Sequence, residues 1–307
     1  MDINGWLWSL TIVGLVGLLA FDYFFHVRKA HIPTLAESAV WSAGYVGVAV
    51  AFGLGLLVFG GADVGAQYFA GYLTEKALSV DNLFVFLVIM AGFGVPRAEQ
   101  QKVLLFGIAV ALVARTGFIL VGAALINTFA WVFYFFGLLL LLTAGNMLRS
   151  ESRDAAPKAP NGVIRFAKKF VHTPTPLVMI AIAGTDVLFA FDSIPAIFGL
   201  TQNPYLVFTA TAFSLLGLRQ LYFLLDGLLD RLVYLSYGLS VILGFIGVKL
   251  IMHAMHEGGV GGIEIGTGPS LLVIVGVLAV TVIASLWHRR TTSESETEPI
   301  RELVLRP

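Results

Sequence analysis

Two stretches of this chain set acids into apolar sequence with the same spacing. One is Glu75-Lys76-Ala77-Leu78-Ser79-Val80-Asp81-Asn82-Leu83. The other is Asp186-Val187-Leu188-Phe189-Ala190-Phe191-Asp192-Ser193-Ile194. Both run acid, five residues, Asp, small polar, apolar. A carboxylate at the centre of a bilayer costs roughly 2.5–3.5 kcal/mol on insertion scales, so such residues face an interior or a cavity and mark function. Asp81 and Asp192 occupy equivalent places and are candidates for holding a cation or carrying a proton. Glu75 and Asp186 are candidates for the mouth or gate of the same path. Asn82 and Ser193 serve either as further ligands or as hydrogen-bond glue between helices. Arg115, Arg219 and Lys76 are the candidate counter-charges. Four acids against three cations leave a balance that a divalent cation or protons would change.

The spacing constrains the chemistry. Six residues turn a straight helix about 600° and advance it about 9 Å, which leaves the paired acids about 120° apart. One ion could not easily touch both acids of one helix unless the helix is interrupted. Pro195 would supply an interruption and free the carbonyl of Phe191. Ser79, Asp81 and Asn82 are weak helix formers. Carboxylates, amide oxygens and loose carbonyls together suit Mg, Ca or Mn. His253 and His256 sit at i, i+3 beside Glu257 and form a weaker metal candidate.

The elements that carry these residues must be membrane helices. The 307 residues are 58% hydrophobic and only 12% charged, about half the charge of a soluble domain. About nine stretches reach the roughly 20 apolar residues a span needs: 6–25, 39–59, 68–91, 103–125, 128–148, 176–199, 205–225, 232–254 and 270–288. The first follows Asp2 with no basic lead, so it is expected to be retained rather than cleaved. Basic segments (Arg28, Lys102, the loop 149–175, Arg231, Arg289 and Arg290) alternate with segments lacking cations. The excess faces the cytoplasm, which places the N-terminus outside and the C-terminus inside. The tail from Thr291 is expected to be disordered. Gly53 and Gly55 are expected to permit close helix packing.

The acids belong to a larger repeat. Arg115-x-x-Phe118-Ile119-Leu120 matches Arg219-x-x-Tyr222-Phe223-Leu224, and Phe136-Gly137 matches Tyr237-Gly238. The unit is three helices used twice, so the second copy enters the membrane from the opposite side. Inverted repeats with a site at their interface recur in secondary transporters. The fold class is therefore all-α integral membrane, with about nine transmembrane helices and two inverted three-helix repeats. The organisation is 1–67, two N-terminal helices; 68–148, first repeat; 149–175, basic cytoplasmic linker; 176–256, inverted repeat; 257–290, final helix; 291–307, cytoplasmic tail.

Several functions are excluded or demoted. There is no cysteine, hence no disulfide, thiolate metal site or cysteine nucleophile within this chain. The net charge is zero, with no basic excess for nucleic acid. No G-x-x-x-x-G-K-[ST] occurs, so energy would come from proton or sodium exchange. An intramembrane aspartyl protease would also use two aspartates on different spans. No G-x-G-D is present, and the arginines would be superfluous to such a dyad. A membrane scaffold docking partners through the basic loop is the other alternative. The expectation is a non-enzyme with no permanent cofactor, in contact with lipid and a divalent metal.

The residues Gly71 to Phe86, G-Y-L-T-E-K-A-L-S-V-D-N-L-F-V-F, resemble the first signature of the TerC family, which includes Alx-type membrane proteins. Thr185 to Phe198, T-D-V-L-F-A-F-D-S-I-P-A-I-F, resembles the second signature, and Leu216 to Leu225 resembles the helix that follows. The resemblance covers roughly 38–256. It implies a LysE-like transporter fold in a bacterial plasma membrane, manganese export as the activity, and a link to tellurite resistance. The family's acids fall on Glu75, Asp81, Asp186 and Asp192, with Asn82 and Ser193 beside two of them. Many members carry an acid where this chain has Ala183, so metal preference is the least transferable implication.

Overall fold

The structure is a computed structural model and describes residues 5–28, 32–129, 131–151, 174–225, 234–259, 261 and 265–304. The basic loop over 152–173, with His172, lies outside these residues, as do Lys29, His31, Arg231 and Glu264. Among the described residues all regular structure is helical. The helices are α1 (Gly5–Asp22, continued by a π-helical turn Tyr23–Val27), α2 (Leu35–Gly60), α3 (Ala62–Gly92), α4 (Arg97–Thr128) and α5 (Trp131–Glu151). After the loop come α6 (Pro174–Phe198), α7 (Pro204–Leu215), α8 (Leu218–Leu225), α9 (Leu235–Glu257) and α10 (Thr267–Val304).

Eight helical stretches among the described residues are long and apolar enough to cross a membrane, with α7 and α8 counting together as one. The ninth expected span is α3. Its 31 residues, about 46 Å at 1.5 Å each, are long enough, but Glu75, Lys76 and Asp81 make it less apolar. It survives in the membrane because it is central, packing on α2, α6, α7 and α10. Helix α7 is more enclosed still: Tyr205 through Leu215 are all buried. The lipid-facing side chains lie on the outer helices, as with Trp6, Leu10, Val113 and Leu142.

Local chemistry sets the ends. The Thr34 hydroxyl accepts from the Glu37 amide at 3.2 Å and starts α2. The Asn203 side chain accepts from the Tyr205 amide at 3.0 Å, and Pro204 opens α7. Helices α5 and α9 cross where Gly137 meets Gly247. A Cβ on Gly137 would stand 2.8 Å from the Gly247 carbonyl, so only glycine permits this approach. Gly53 likewise lies against Tyr68 and Phe69. Gly55, expected to do the same, meets nothing within 4 Å.

Three expectations are corrected. Helix α6 runs unbroken through Pro195 to Phe198, and α3 runs unbroken through Ser79, Asp81 and Asn82. Packing against neighbouring helices, α4 on α6 and α7 on α3, overrides weak propensity. The interruption falls instead in the next span, where Leu216 is extended and Gly217 takes φ +79°, a conformation glycine adopts without steric cost. The tail is helical to Val304, because adding residues to an existing helix avoids the cost of nucleation.

Candidate functional site

Helix geometry builds the first charge cluster. On α3, Glu75 and Ser79 are one turn apart on one face. On α6, Asp186 and Ser193 are two turns apart on one face. Arg115 of α4 reaches both. Its Nε donates to Asp186 Oδ2 at 3.0 Å, and its Nη2 donates to Asp186 Oδ1 at 3.1 Å. Its Nη1 donates to Glu75 Oε1 and, at 3.1 Å, to Ser193 Oγ. Ser79 Oγ donates to Glu75 Oε1 at 3.3 Å. Arg115 and Glu75 are 0% exposed and Asp186 is 3% exposed. Two carboxyl groups share this one guanidinium. Among the described residues Glu75 Oε2 has no hydrogen-bond partner. Ala183 is buried one turn before Asp186.

A second cluster joins other elements. Arg219 of α8 donates to both oxygens of Asp22, at 2.6 and 3.1 Å, and to Gln101 Oε1 of α4. Gln220 Nε2 donates to Asp22 Oδ1 at 3.0 Å. All four side chains are buried. Arg219 thus balances an acid left out of the sequence-level charge sum. The reason is positional: α8 lies beyond the break, against the end of α1. Asp22 falls within the apolar stretch 6–25, and that placement was the available signal.

Lys76 is not paired with a repeated acid either, among the described residues. Its ammonium donates to the main-chain carbonyls of Ser214 at 3.0 Å and Leu216 at 3.3 Å, at the α7–α8 break. Of the three candidate counter-charges, only Arg115 sits among the repeated acids.

Asp192 is half-buried and accepts from Thr143 Oγ1 of α5 at 2.8 Å. Asp81 is half-buried and accepts from Ser236 Oγ of α9 at 3.3 Å. Asn82, beside it, is also half-buried. The two aspartates are not brought together. Ala144, next to Thr143, meets Gly244 of α9. Ser236 lies eight residues before Gly244, about 12 Å along the axis. One ion could not touch both carboxylates in this arrangement. Among the described residues no three His, Asp or Glu side chains gather closely enough to hold a metal ion. Thr143 and Ser236, like Gln101 and Gln220, carried no sequence signal beyond being polar residues in or beside apolar stretches.

A cavity of about 330 Å³ lies at one end of the bundle, lined by Gln67, Thr201, Gln202, Asn203, Lys249 and His253 among others. A 2.8 Å hydrogen bond joins Gln202 Nε2 and His253 Nε2, and His253 lies 3.6 Å from Glu257. His256 is exposed. Thr201 Oγ1 donates to Gln67 Oε1 at 2.5 Å. Phe198 and Leu250 also line this cavity, and both are buried.

The apolar exterior, the buried ion pairs and the broken inner helix define a multi-pass α-helical membrane protein with its charge in the interior. More narrowly, the chain belongs to the integral membrane protein TerC family, whose model matches residues 60–293. It is 56% identical to an uncharacterized membrane protein of Mycobacterium bovis, over 96% of this chain and 82% of that one. It is 37% identical to the Escherichia coli protein named as a membrane-bound redox modulator, Alx, over 92% of this chain and 94% of that one. A protein of the same name from Photorhabdus laumondii is 36% identical over the same shares. No solved structure matches the chain.

Proposed function

We propose that this protein exports hard divalent cations, manganese first among them, across the bacterial plasma membrane. The observation that carries the reading is Asp192. It is a half-buried carboxylate within a membrane helix, held by one threonine hydroxyl, with no cation facing it among the described residues. Its desolvation cost is offset if a cation visits. A carboxylate with a hydroxyl beside it offers oxygen ligands, which favour manganese, magnesium or calcium. Because Asp81 bonds Ser236 while the partner of Asp192 lies near Gly244, about 12 Å further along α9, the two aspartates act as successive stations on a path. The Arg115 cluster is the fixed pivot between them.

Read as an inverted repeat, the two three-helix units would provide alternating access. Exchanging α3 with α6, α4 with α7–α8, and α5 with α9 turns the extensive α4–α6 packing into the equally extensive α7–α3 packing. In this reading the N-terminus is outside, the C-terminus is cytoplasmic, and proton or sodium exchange supplies the energy. The protein is not an enzyme and keeps no permanent cofactor; the metal is cargo.

The relatives named as redox modulators suggest a second reading, an effect on redox state. With no cysteine in the chain, such an effect would pass through metal supply or a partner rather than a thiol of its own.

The test is cell manganese in a host deleted for its manganese exporters and grown under manganese stress. Wild type is compared with Asp81→Asn and Asp192→Asn at equal membrane abundance. The proposal expects wild type to lower cell manganese and both variants to fail. Variants as effective as wild type would remove the aspartates from the path. An inert wild type would sink manganese export and leave the redox reading.

A further inference from the structure

The α7–α8 break has a chemistry that the metal path does not use. A helix C-terminus leaves its last carbonyls without intrahelical partners and carries a partial negative charge. Here Leu216 N still bonds the Ala212 carbonyl at 3.1 Å, and the carbonyls of Ser214 and Leu216 turn toward Lys76. More oxygens lie close by. The hydroxyls of Ser214, Thr211 and Thr74 are buried and, among the described residues, have no hydrogen-bond partner. That is unusual for hydroxyls in helices, which commonly bond the carbonyl one turn back. Thr211 is one turn from Ser214, and Thr74 is two residues from Lys76. A Cβ on Gly71 of α3 would meet Ala210 of α7 at 3.2 Å. Five residues on, Lys76 reaches Ser214, four residues on. The two helices therefore run side by side in the same direction, and Thr74 comes level with this turn of α7.

The ammonium is equally telling. It is half-buried, and among the described residues its hydrogen bonds go to the two carbonyls and to no carboxylate. Carbonyls of an unwound segment and the end of a half-helix are where membrane transporters hold a free sodium ion.

We infer that the α7–α8 break is a monovalent-cation seat, filled in this chain by the tethered ammonium of Lys76. The carbonyls of Ser214 and Leu216 are the oxygens that hold it. Lys76 is then a specificity-determining residue: while it is seated, free sodium or potassium has no place there. The inference goes beyond manganese export and stands on the break itself. If the protein is a sodium exchanger, its sodium binds elsewhere than at this seat.

The test is thermal melting of the purified protein in NaCl, KCl or choline chloride at equal ionic strength. It reads the seat whether or not manganese is transported. Wild type should melt at one temperature in all three salts. Lys76→Ala empties the seat: it should melt lower in choline and recover about 2–4 °C in saturating NaCl or KCl. Lys76→Met fills the space without charge and should stay low in every salt. Three results would overturn the inference: wild type stabilised by sodium over choline, Lys76→Ala indifferent to the salt, or Lys76→Met as stable as wild type. Should Lys76→Ala not accumulate, Lys76→Arg decides. A tethered guanidinium restores a stable, salt-indifferent protein if the seat requires a cation, and a failing arginine beside a stable methionine overturns it.

Discussion

Arg115→Met removes the one cation from a cluster holding Glu75 and Asp186. Arg115 makes four hydrogen bonds, three of them to carboxylate oxygens. Hydrogen bonds to charged groups are worth about 1.5–3 kcal/mol each, so the three carboxylate bonds set an upper bound of about 5–9 kcal/mol. The loss is smaller, because a stranded carboxylate takes up a proton instead of staying charged in a buried site. Breaking a buried pair by removing one partner costs about 3–5 kcal/mol. At about 2–4 °C per kcal/mol for a chain of this size, melting should fall by roughly 10 °C. Neutralising the whole cluster should relieve most of this, since replacing both sides of a buried pair is often nearly neutral. The triple variant Arg115→Met, Glu75→Gln, Asp186→Asn should therefore melt within a few degrees of wild type and well above Arg115→Met alone. The assay is thermal melting in detergent, monitored on the monodisperse species. If Arg115→Met melts with wild type, or the triple variant falls further than the single one, the cluster is not the pivot described here.

Three further outcomes follow from particular contacts. Thr143→Val removes the hydroxyl from Asp192 but leaves the carboxylate. It should weaken manganese export without moving the melting temperature by more than about 2 °C, whereas a shift above 5 °C with normal export would make Thr143 purely structural. Gly217→Ala meets two obstacles, φ +79° and a Cβ 2.9 Å from that of Tyr45. It should cost about 1–3 kcal/mol, visible as a lower melting temperature, and an unchanged one would refute the fixed break. Gly247→Ala places a Cβ 2.9 Å from the Gly137 carbonyl, whereas Gly55→Ala meets nothing within 4 Å. The first should destabilise by about 1–3 kcal/mol, the second by less than about 0.5 kcal/mol, and equal effects would show that α5 and α9 do not cross at glycine.

Composition and periodicity alone determined that this chain is a multi-pass helical membrane protein, because about twenty apolar residues in a row have few other stable homes. The paired acids of α3 and α6 were legible for a similar reason. A charge in an apolar run stands out, and Arg115 among acids is the obvious counter-ion. What faces what was not legible. Sequence spacing says nothing of which helix stands behind another. Arg219 therefore looked like a partner for the repeated acids until the packing of α8 against the end of α1 joined it to Asp22. Lys76, next in sequence to Glu75, points about 100° away around the helix and serves carbonyls instead. Pro195 looked like the break because proline removes a donor, yet α6 runs whole through it against α4, and it is the next span that parts, at Gly217, where the fold required φ +79°. The separation of Asp81 from Asp192 likewise came only from the crossing of α5 and α9. Local chemistry chose which residues are costly in a membrane; the packing of distant helices chose how each cost is offset.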